Sequence, residues 1–280
     1  LVRRTTISIA LALLVLALVG LSGCSAVDGV AAPLHTSKPI RVTGSRTCIP
    51  LLEILEEGSG EAGDFAYLPS VYSSGGISGV AAGDADIGTV SRYLTEEELK
   101  LGLRYELLSW DALAFAVHPS VTLNGLTTQQ IRDIYSGTIT NWRDLGGPDI
   151  SITVFDRADG GTPKLIVRRY VLGEDLEVTA GAIVVDQETD MVDGIRGTKG
   201  GIGFMSFGWA TARKVPVHVL KLDGIAPGVG NTLNGAYPLA RPLGLVARKD
   251  ADPRVQRFLE WATGDDAAAL MARRGYAPAQ

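Results

Sequence analysis

Ile150-Ser151-Ile152-Thr153-Val154-Phe155-Asp156-Arg157-Ala158-Asp159-Gly160-Gly161-Thr162-Pro163 is the stretch whose reading decides the fold. Ile150 to Phe155 reads as a short apolar strand, and the apolar spacing that follows predicts a helix from Pro163 to Leu172. Thr162 is expected to cap that helix, and Pro163 suits its first turn, where a missing N–H costs nothing. The two glycines allow a sharp turn that brings backbone N–H groups close to a guest. A helix start carries partial positive charge and unpaired donors, which favour an anion. Arg157 adds a planar fork of donors that matches an oxyanion. Taken alone, the same residues also fit an ordinary strand-to-helix turn with a surface arginine.

Two similar turns lie earlier in the chain. A strand from Lys38 to Thr43 leads into Gly44-Ser45-Arg46-Thr47, and a strand from Phe65 to Val71 leads into Ser73-Ser74-Gly75-Gly76. A third strand, Ala85 to Val90, ends in Ser91-Arg92. Open α/β sheets bind ligands at the carboxyl ends of their strands. Turns of one chemistry in the first third and in mid-chain therefore predict one guest held between two lobes.

The remaining pattern supplies the frame. Helices are expected over Pro50–Glu57, after the capping box Thr95/Glu98, over Thr127–Ser136 with its own capping box, and over Thr189–Arg196. Gly200–Phe204 and the alternating Val215–Leu220 read as strands. The apolar strand Trp110–Val117 is expected to carry the chain from the first lobe into the second. Leu243–Ala247, flanked by Pro238 and Pro242, is expected to carry it back, and helices over Pro253–Ala262 and Asp265–Arg273 close the chain. The expectation is an α/β, two-lobed molecule with two hinge crossings. Residues 38–117 and 237–280 would form lobe 1, residues 118–236 lobe 2, and the ligand cleft would lie between them.

Composition narrows the function. A hydrophobic content of 46% over 280 residues suffices for one large domain or two lobes. Arg3 and Arg4, the apolar run Ile7–Val19, and Leu21-Ser22-Gly23-Cys24 read as a secretory signal over residues 1–23 with a lipobox. Cys24 would then be the lipidated residue, with residues 24–37 as lipidated cysteine and tether. Removing residues 1–23, which carry two arginines and no acids, lowers the formal charge from −5 to −7. There is no basic stripe for nucleic acid, so attraction of an anion must be local. With Cys24 lipidated, Cys48 has no disulfide partner and reads as a small buried thiol. Two Cys and three His, widely scattered, make no metal site, and no cofactor is implied.

An ordered set of motifs resembles the phosphate-binding lipoproteins, the substrate-capturing subunits of the phosphate ABC transporter. The set comprises Thr43-Gly44-Ser45-Arg46-Thr47, Ser73-Ser74-Gly75-Gly76, Gly83–Gly88, Ser91-Arg92, Leu126–Trp142, Gly201-Ile202-Gly203-Phe204, Tyr237–Leu243 and Arg274–Pro278. It runs from about residue 40 to the end of the chain. The resemblance implies a periplasmic-binding-protein fold of the type with two crossings. It also implies inorganic phosphate held in the cleft by hydrogen bonds, a membrane permease as partner, an extracytoplasmic lipid-anchored location and a monomer. Carried over residue by residue, Thr47 and the Cys48 backbone N–H, Ser73, Ser91, Arg157, Gly161 and Thr162 would contact the anion.

This chain departs from the family at three points. Arg46 stands where a small hydroxyl residue is usual, and would be an extra ligand contact if it entered the cleft. The third turn, Gly88-Thr89-Val90-Ser91-Arg92, lacks the carboxylate that many members carry. The mid-chain loop is one position short and has lost a serine. Without a carboxylate to accept a hydrogen bond from protonated phosphate, discrimination against sulfate should weaken. Losing one neutral hydroxyl contact should cost about 0.5–1.5 kcal/mol. Binding of another oxyanion (sulfate, molybdate or a phosphonate) and a sensor or adhesion module without ligand remain as alternatives. The sequence has no Ser–His–Asp order, HExxH or Walker loop, so it is not read as an enzyme.

Overall fold

The structure is a computed structural model that describes residues 38–60 and 64–279. The expected signal segment, Cys24 and the tether to residue 37 lie outside the described residues. Strand β1 (Ile40–Gly44) runs parallel between β2 (Phe65–Tyr67) and β3 (Ile87–Val90). These strands are apolar because both faces of the sheet are covered. Helix α1 (Ile49–Ser59) lays Leu51, Leu52, Ile54 and Leu55 on one face of it. Helix α2 (Tyr72–Ala82) covers the other, with Ile77 and Val80 packed on Val90. Helix α3 (Glu96–Leu99) opens with the expected capping box, Thr95 with Glu98.

Strand β4 (Arg104–Val117) organises the rest. Its 14 residues reach about 46 Å at strand rise, two to three times an ordinary strand. Its first half pairs with the return strand and its second half with a different set of strands. Along the second half the chain forms β5 (Gly125–Leu126), then α4 (Thr128–Tyr135), capped by Thr127 with Gln130. Next come β6 (Thr153–Arg157), α5 (Thr162–Val167), β7 (Ile183–Val185) and α6 (Glu188–Gly197). Then follow β8 (Gly201–Ser206), α7 (Phe207–Arg213), β9 (His218–Val219), β10 (Lys221–Leu222) and α8 (Val229–Leu233). The chain returns along β11 (Ala240–Ala247) and ends with α9 (Pro253–Ala262), α10 (Asp265–Arg273) and β12 (Ala277–Pro278).

The sheet order is β2-β1-β3-β11-β4-β8-β6-β7, with β9 and β12 also on β4. Residues 104–112 of β4 pair antiparallel with β11, and residues 113–117 pair antiparallel with β8. One strand is therefore shared by two half-sheets, each with its own core. The first core lies under α1, α9 and α10 and includes Phe65, Phe258, Leu259 and Tyr276. The second gathers Phe115, Ile131, Tyr135, Trp142, Val167, Leu172 and Phe204. The outcome is the two-lobed α/β architecture with a double crossing.

Element boundaries shift where local chemistry intervenes. The crossing strand starts at Arg104 rather than Trp110, because β11 offers it a continuous partner. The return strand starts at Ala240 and accommodates Pro242, since β11 pairs β3 only over residues 244–246 and the proline lies where that side is open. Val215–Leu220 is not one strand. Pro216 has no N–H for a ladder, and only the short β9 and β10 form. The expected helix to Leu172 is α5 followed by a wider π turn over Arg168–Leu172.

Candidate functional site

The carboxyl ends of β1 and β3 meet the start of α2 almost backbone to backbone. Gly44 has φ +123°, and a Cβ there would fall 2.4 Å from the Thr89 carbonyl oxygen, so only glycine fits. A Cβ on Gly76 would lie 2.7 Å from the Gly44 Cα. These contacts let the first turn of α2 approach the ends of both strands. The turn after Gly44 is tied down by Thr89, whose buried hydroxyl bonds the carbonyls of Thr43 and Ser45. The Ser45 N–H donates to the Thr89 carbonyl at 2.9 Å.

This packing brings together hydroxyls from the turn after β1, the start of α2 (where Ser73–Gly76, expected as a turn, is already helical) and the end of β3. Ser45 Oγ donates to Ser91 Oγ at 3.0 Å. The Ser91 N–H donates to Ser73 Oγ at 3.1 Å, and the Ser73 and Ser91 hydroxyls lie 3.5 Å apart. From the other half of the molecule, Thr162 Oγ1 comes within 3.5 Å of Ser91 Oγ. Contacts of 3.5 Å are long for O–H···O bonds, and hydroxyl protons rotate freely. These hydroxyls can therefore turn to a better acceptor at little cost. Ser45, Ser73 and Ser91 are buried and Thr162 is half-buried.

The second half contributes the cation. Arg157, at the end of β6, is only 7% exposed and bonds the Asp186 carbonyl at 2.9 Å through Nη1. Its Nη2 pairs with Glu188 Oε2 at 2.5 Å, and the other Glu188 oxygen accepts the Ser206 N–H. Arg157 Nε is buried and has no protein partner. One residue back, Asp156 faces away and forms a buried ion pair with Lys164, which fixes α5 on β6. A further buried pair, Asp111 with Arg241, joins β4 to β11 and accepts the Ser206 hydroxyl and the Gly208 N–H. Bonds thus run from Arg157 through Glu188 and Ser206 to both crossing strands.

Of the residues expected at the site, Ser73, Ser91 and Thr162 are brought together. Arg157 and Gly161 flank the same loop. Thr162 does not cap its helix: Gly161 holds the cap position without a side-chain bond, and Thr162 is the first helical residue. Its hydroxyl is thereby released toward Ser91. Thr47 is half-buried on the short turn Arg46–Cys48. The Cys48 N–H donates to the Ser45 carbonyl, and its thiol lies 3.1 Å from the Val90 carbonyl. Arg46 is exposed. Two residues were not anticipated. Ser45 sits inside a quoted motif, and its inward direction follows only from the Gly44 dihedral. Glu188 lies 31 residues beyond Arg157 and carries no local signal.

Among the described residues no group of three or more His, Cys, Asp or Glu could hold a metal ion. What remains is a set of neutral hydroxyl donors and, at the end of β6, one guanidinium paired with Glu188. Such an arrangement recognises an anion by hydrogen bonds rather than by net charge.

The chain is 27% identical to the phosphate-binding protein PstS of Bacillus subtilis (strain 168) over 250 residues, covering 86% of this chain and 81% of that one. Among solved structures it is similar to a phosphate ABC transporter-type substrate-binding protein of Clostridium perfringens with bound phosphate. That likeness has a TM-score of 0.72 at 26% identity, covering 87% of this chain and all of the other. It is also similar to an ABC-type phosphate transport receptor from Vibrio cholerae, with a TM-score of 0.61 at 27% identity, covering 86% and 99%. The family model for the PBP superfamily domain matches residues 29–266, most of the chain, and the protein therefore belongs to the PBP (periplasmic-binding-protein) superfamily.

Proposed function

We propose that this protein captures inorganic phosphate outside the cytoplasm and hands it to an ABC importer in the membrane. The observation that carries the reading is the meeting of the Ser45, Ser73 and Ser91 hydroxyls with Thr162 across the two halves. The relatives named for phosphate binding and phosphate transport support it. Phosphate would accept from these hydroxyls, from the amide at the start of α5 and from Arg157, with Gly161 allowing close backbone approach. Residues 38–117 with 237–280, and residues 118–236, would act as the two lobes that close on it. Thr47 and Cys48 would shape the first turn, and Arg46 would stay in solvent. Cys24 would carry the lipid anchor, the protein would act as a monomer, and it would bind its anion without chemical change.

Isothermal titration of the purified protein with phosphate tests this reading. Micromolar or tighter binding is expected, and affinity no better than millimolar would reject it. A second reading, binding of oxyanions more broadly, is favoured by the third turn. Ser91 is followed by Arg92, which is taken by Glu98, and the bonds made by the Ser45, Ser73, Ser91 and Thr162 hydroxyls among the described residues include no carboxylate. Equal affinity for sulfate and phosphate would favour that reading.

A further inference from the structure

Among the described residues, Glu188 is the carboxylate bonded to the guanidinium expected to meet the ligand. It bridges Arg157 Nη2 and the Ser206 N–H, while the Asp186 carbonyl takes Nη1. Both terminal nitrogens of Arg157 are thus held by protein acceptors, and the buried Nε–H is without a protein partner. Glu188 side-chain exposure is 22% and that of Arg157 is 7%, so water screens this pair weakly. Asp159, closer in sequence, does not take this role. It is 85% exposed and lies 4.0 Å from Arg168.

We propose that Glu188 is the residue that positions Arg157 and sets the charge of the site, and thereby its preference among anions. The inference rests on the phosphate reading given above. The bonds at Nη1 and Nη2 fix the plane of the guanidinium and leave its Nε–H, with the second N–H of each terminal nitrogen, for a ligand. Cancelling the guanidinium charge leaves a site that does not reward a second negative charge on its guest. A site of that kind accepts monoanionic phosphate alongside dianionic phosphate, and gives sulfate no electrostatic advantage. Two other buried ion pairs lie near it, and Asp186, whose carbonyl holds Nη1, has an exposed side chain. Asp111 faces Arg241 from β4 and β11, and Asp156 faces Lys164 behind β6. Tyr135 and Tyr276 are buried neutral neighbours, held far above the usual phenol range by burial.

The test compares phosphate and sulfate affinities in Glu188→Gln and the unaltered protein. At about pH 6 phosphate is mainly a monoanion and sulfate a dianion, whereas at about pH 9 both are dianions. Removing one negative charge near the guest favours the more highly charged anion by about tenfold at intermediate dielectric. Glu188→Gln is therefore expected to shift the affinity ratio toward sulfate by about tenfold at the lower pH and to leave it nearly unchanged at the higher one. An unchanged ratio at both values would overturn the proposal. A purely structural role would weaken both anions equally at both. Glu188→Asp keeps the charge but shortens the reach, so the ratio should hold while both affinities fall. If Glu188→Gln fails to fold, this variant decides alone: affinities equal to those of the unaltered protein would overturn the positioning role. If the unaltered protein binds neither anion, the phosphate reading fails and this proposal falls with it, whereas binding with an unchanged ratio overturns the proposal alone.

Discussion

Asp111 on β4 and Arg241 on β11 form an ion pair, 2.7 Å from Nη2 to Oδ2, with side-chain exposures of 0% and 1%. The pair lies where the two crossing strands run side by side, and both partners are cut off from water. Breaking a buried pair leaves one charge uncompensated, which costs about 3–5 kcal/mol. Asp111→Asn is therefore expected to lower unfolding free energy by that amount in urea titration. The double replacement Asp111→Asn with Arg241→Met, which removes both charges and keeps an acceptor for the Ser206 hydroxyl and the Gly208 N–H, should cost less. A double variant as unstable as the single one would contradict this account.

Hydroxyl and guanidinium contributions should separate in binding experiments. Ser91 touches Ser45, Ser73 and Thr162. Ser91→Ala should weaken phosphate binding by about 0.5–1.5 kcal/mol, up to roughly tenfold, with little change in melting temperature. Arg157→Ala should cost more, about 1.5–3 kcal/mol, because a charged donor is lost. Calorimetric titration reads both, and a larger loss for Ser91→Ala would reverse the ranking.

Helix α2 should not tolerate a side chain at Gly76. A methyl group there would lie 2.7 Å from the Gly44 Cα and 3.2 Å from two carbonyl oxygens, all of them backbone. Gly76→Ala is expected to destabilise the protein by about 1–3 kcal/mol and to weaken phosphate binding, since Ser73 moves with the helix. Gly79→Ala, on the same helix with only a distant methyl neighbour at 3.5 Å, is the control and should be nearly neutral.

Acid stability should carry a mark of Glu98. Bonds from Arg92 chiefly, opposed by partial burial and helped by the Thr95 amide, hold its carboxyl down at about 2, from an ordinary 4.5. A depressed folded value means that the stabilisation is complete above pH 4.5 and is lost as pH falls toward 2. Melting temperatures of the protein and of Glu98→Gln should differ most near neutrality and converge near pH 2. Parallel curves over that window would rule out the linkage.

Cys48 should be chemically silent in the folded protein. Burial pushes its thiol up to about 12, and it lies against the Val90 carbonyl. Alkylation at mildly alkaline pH should be slow in buffer and fast in denaturant, as read by mass spectrometry. Rapid labelling of the native protein would mean that the turn after β1 opens readily.

The parts of the fold visible in the sequence are those fixed by local chemistry. Helices α9 and α10 occupy the expected residues, because Asp252 with Pro253 starts one and Gly264 with Asp265 and Asp266 starts the other. Both capping boxes appear as read. The strand ends carrying Gly44 and Ser91 were legible because glycine and serine turns follow apolar runs. What was not legible depends on contacts far apart in the chain. The length of β4 is set by β11, some 130 residues later. The direction of Ser45 depends on a positive φ at Gly44, and the role of Glu188 depends on the approach of α6 to β6. The release of the Thr162 hydroxyl from capping could not be read either, since a threonine before proline at a helix start suits both positions.

The shared strand also bears on the order in which the chain can assemble. Residues 104–112 of β4 find their partners at 240–247 and 277–278, almost at the C-terminus. A chain emerging from its N-terminus would complete the half-sheet made of residues 113–206 first. The half bearing Ser45, Ser73 and Ser91 would stay unfinished until the last residues arrive. Long-range closure of this kind slows folding. Were the protein exported as proposed, this delay would keep the half bearing these serines open until β11 and β12 had also crossed.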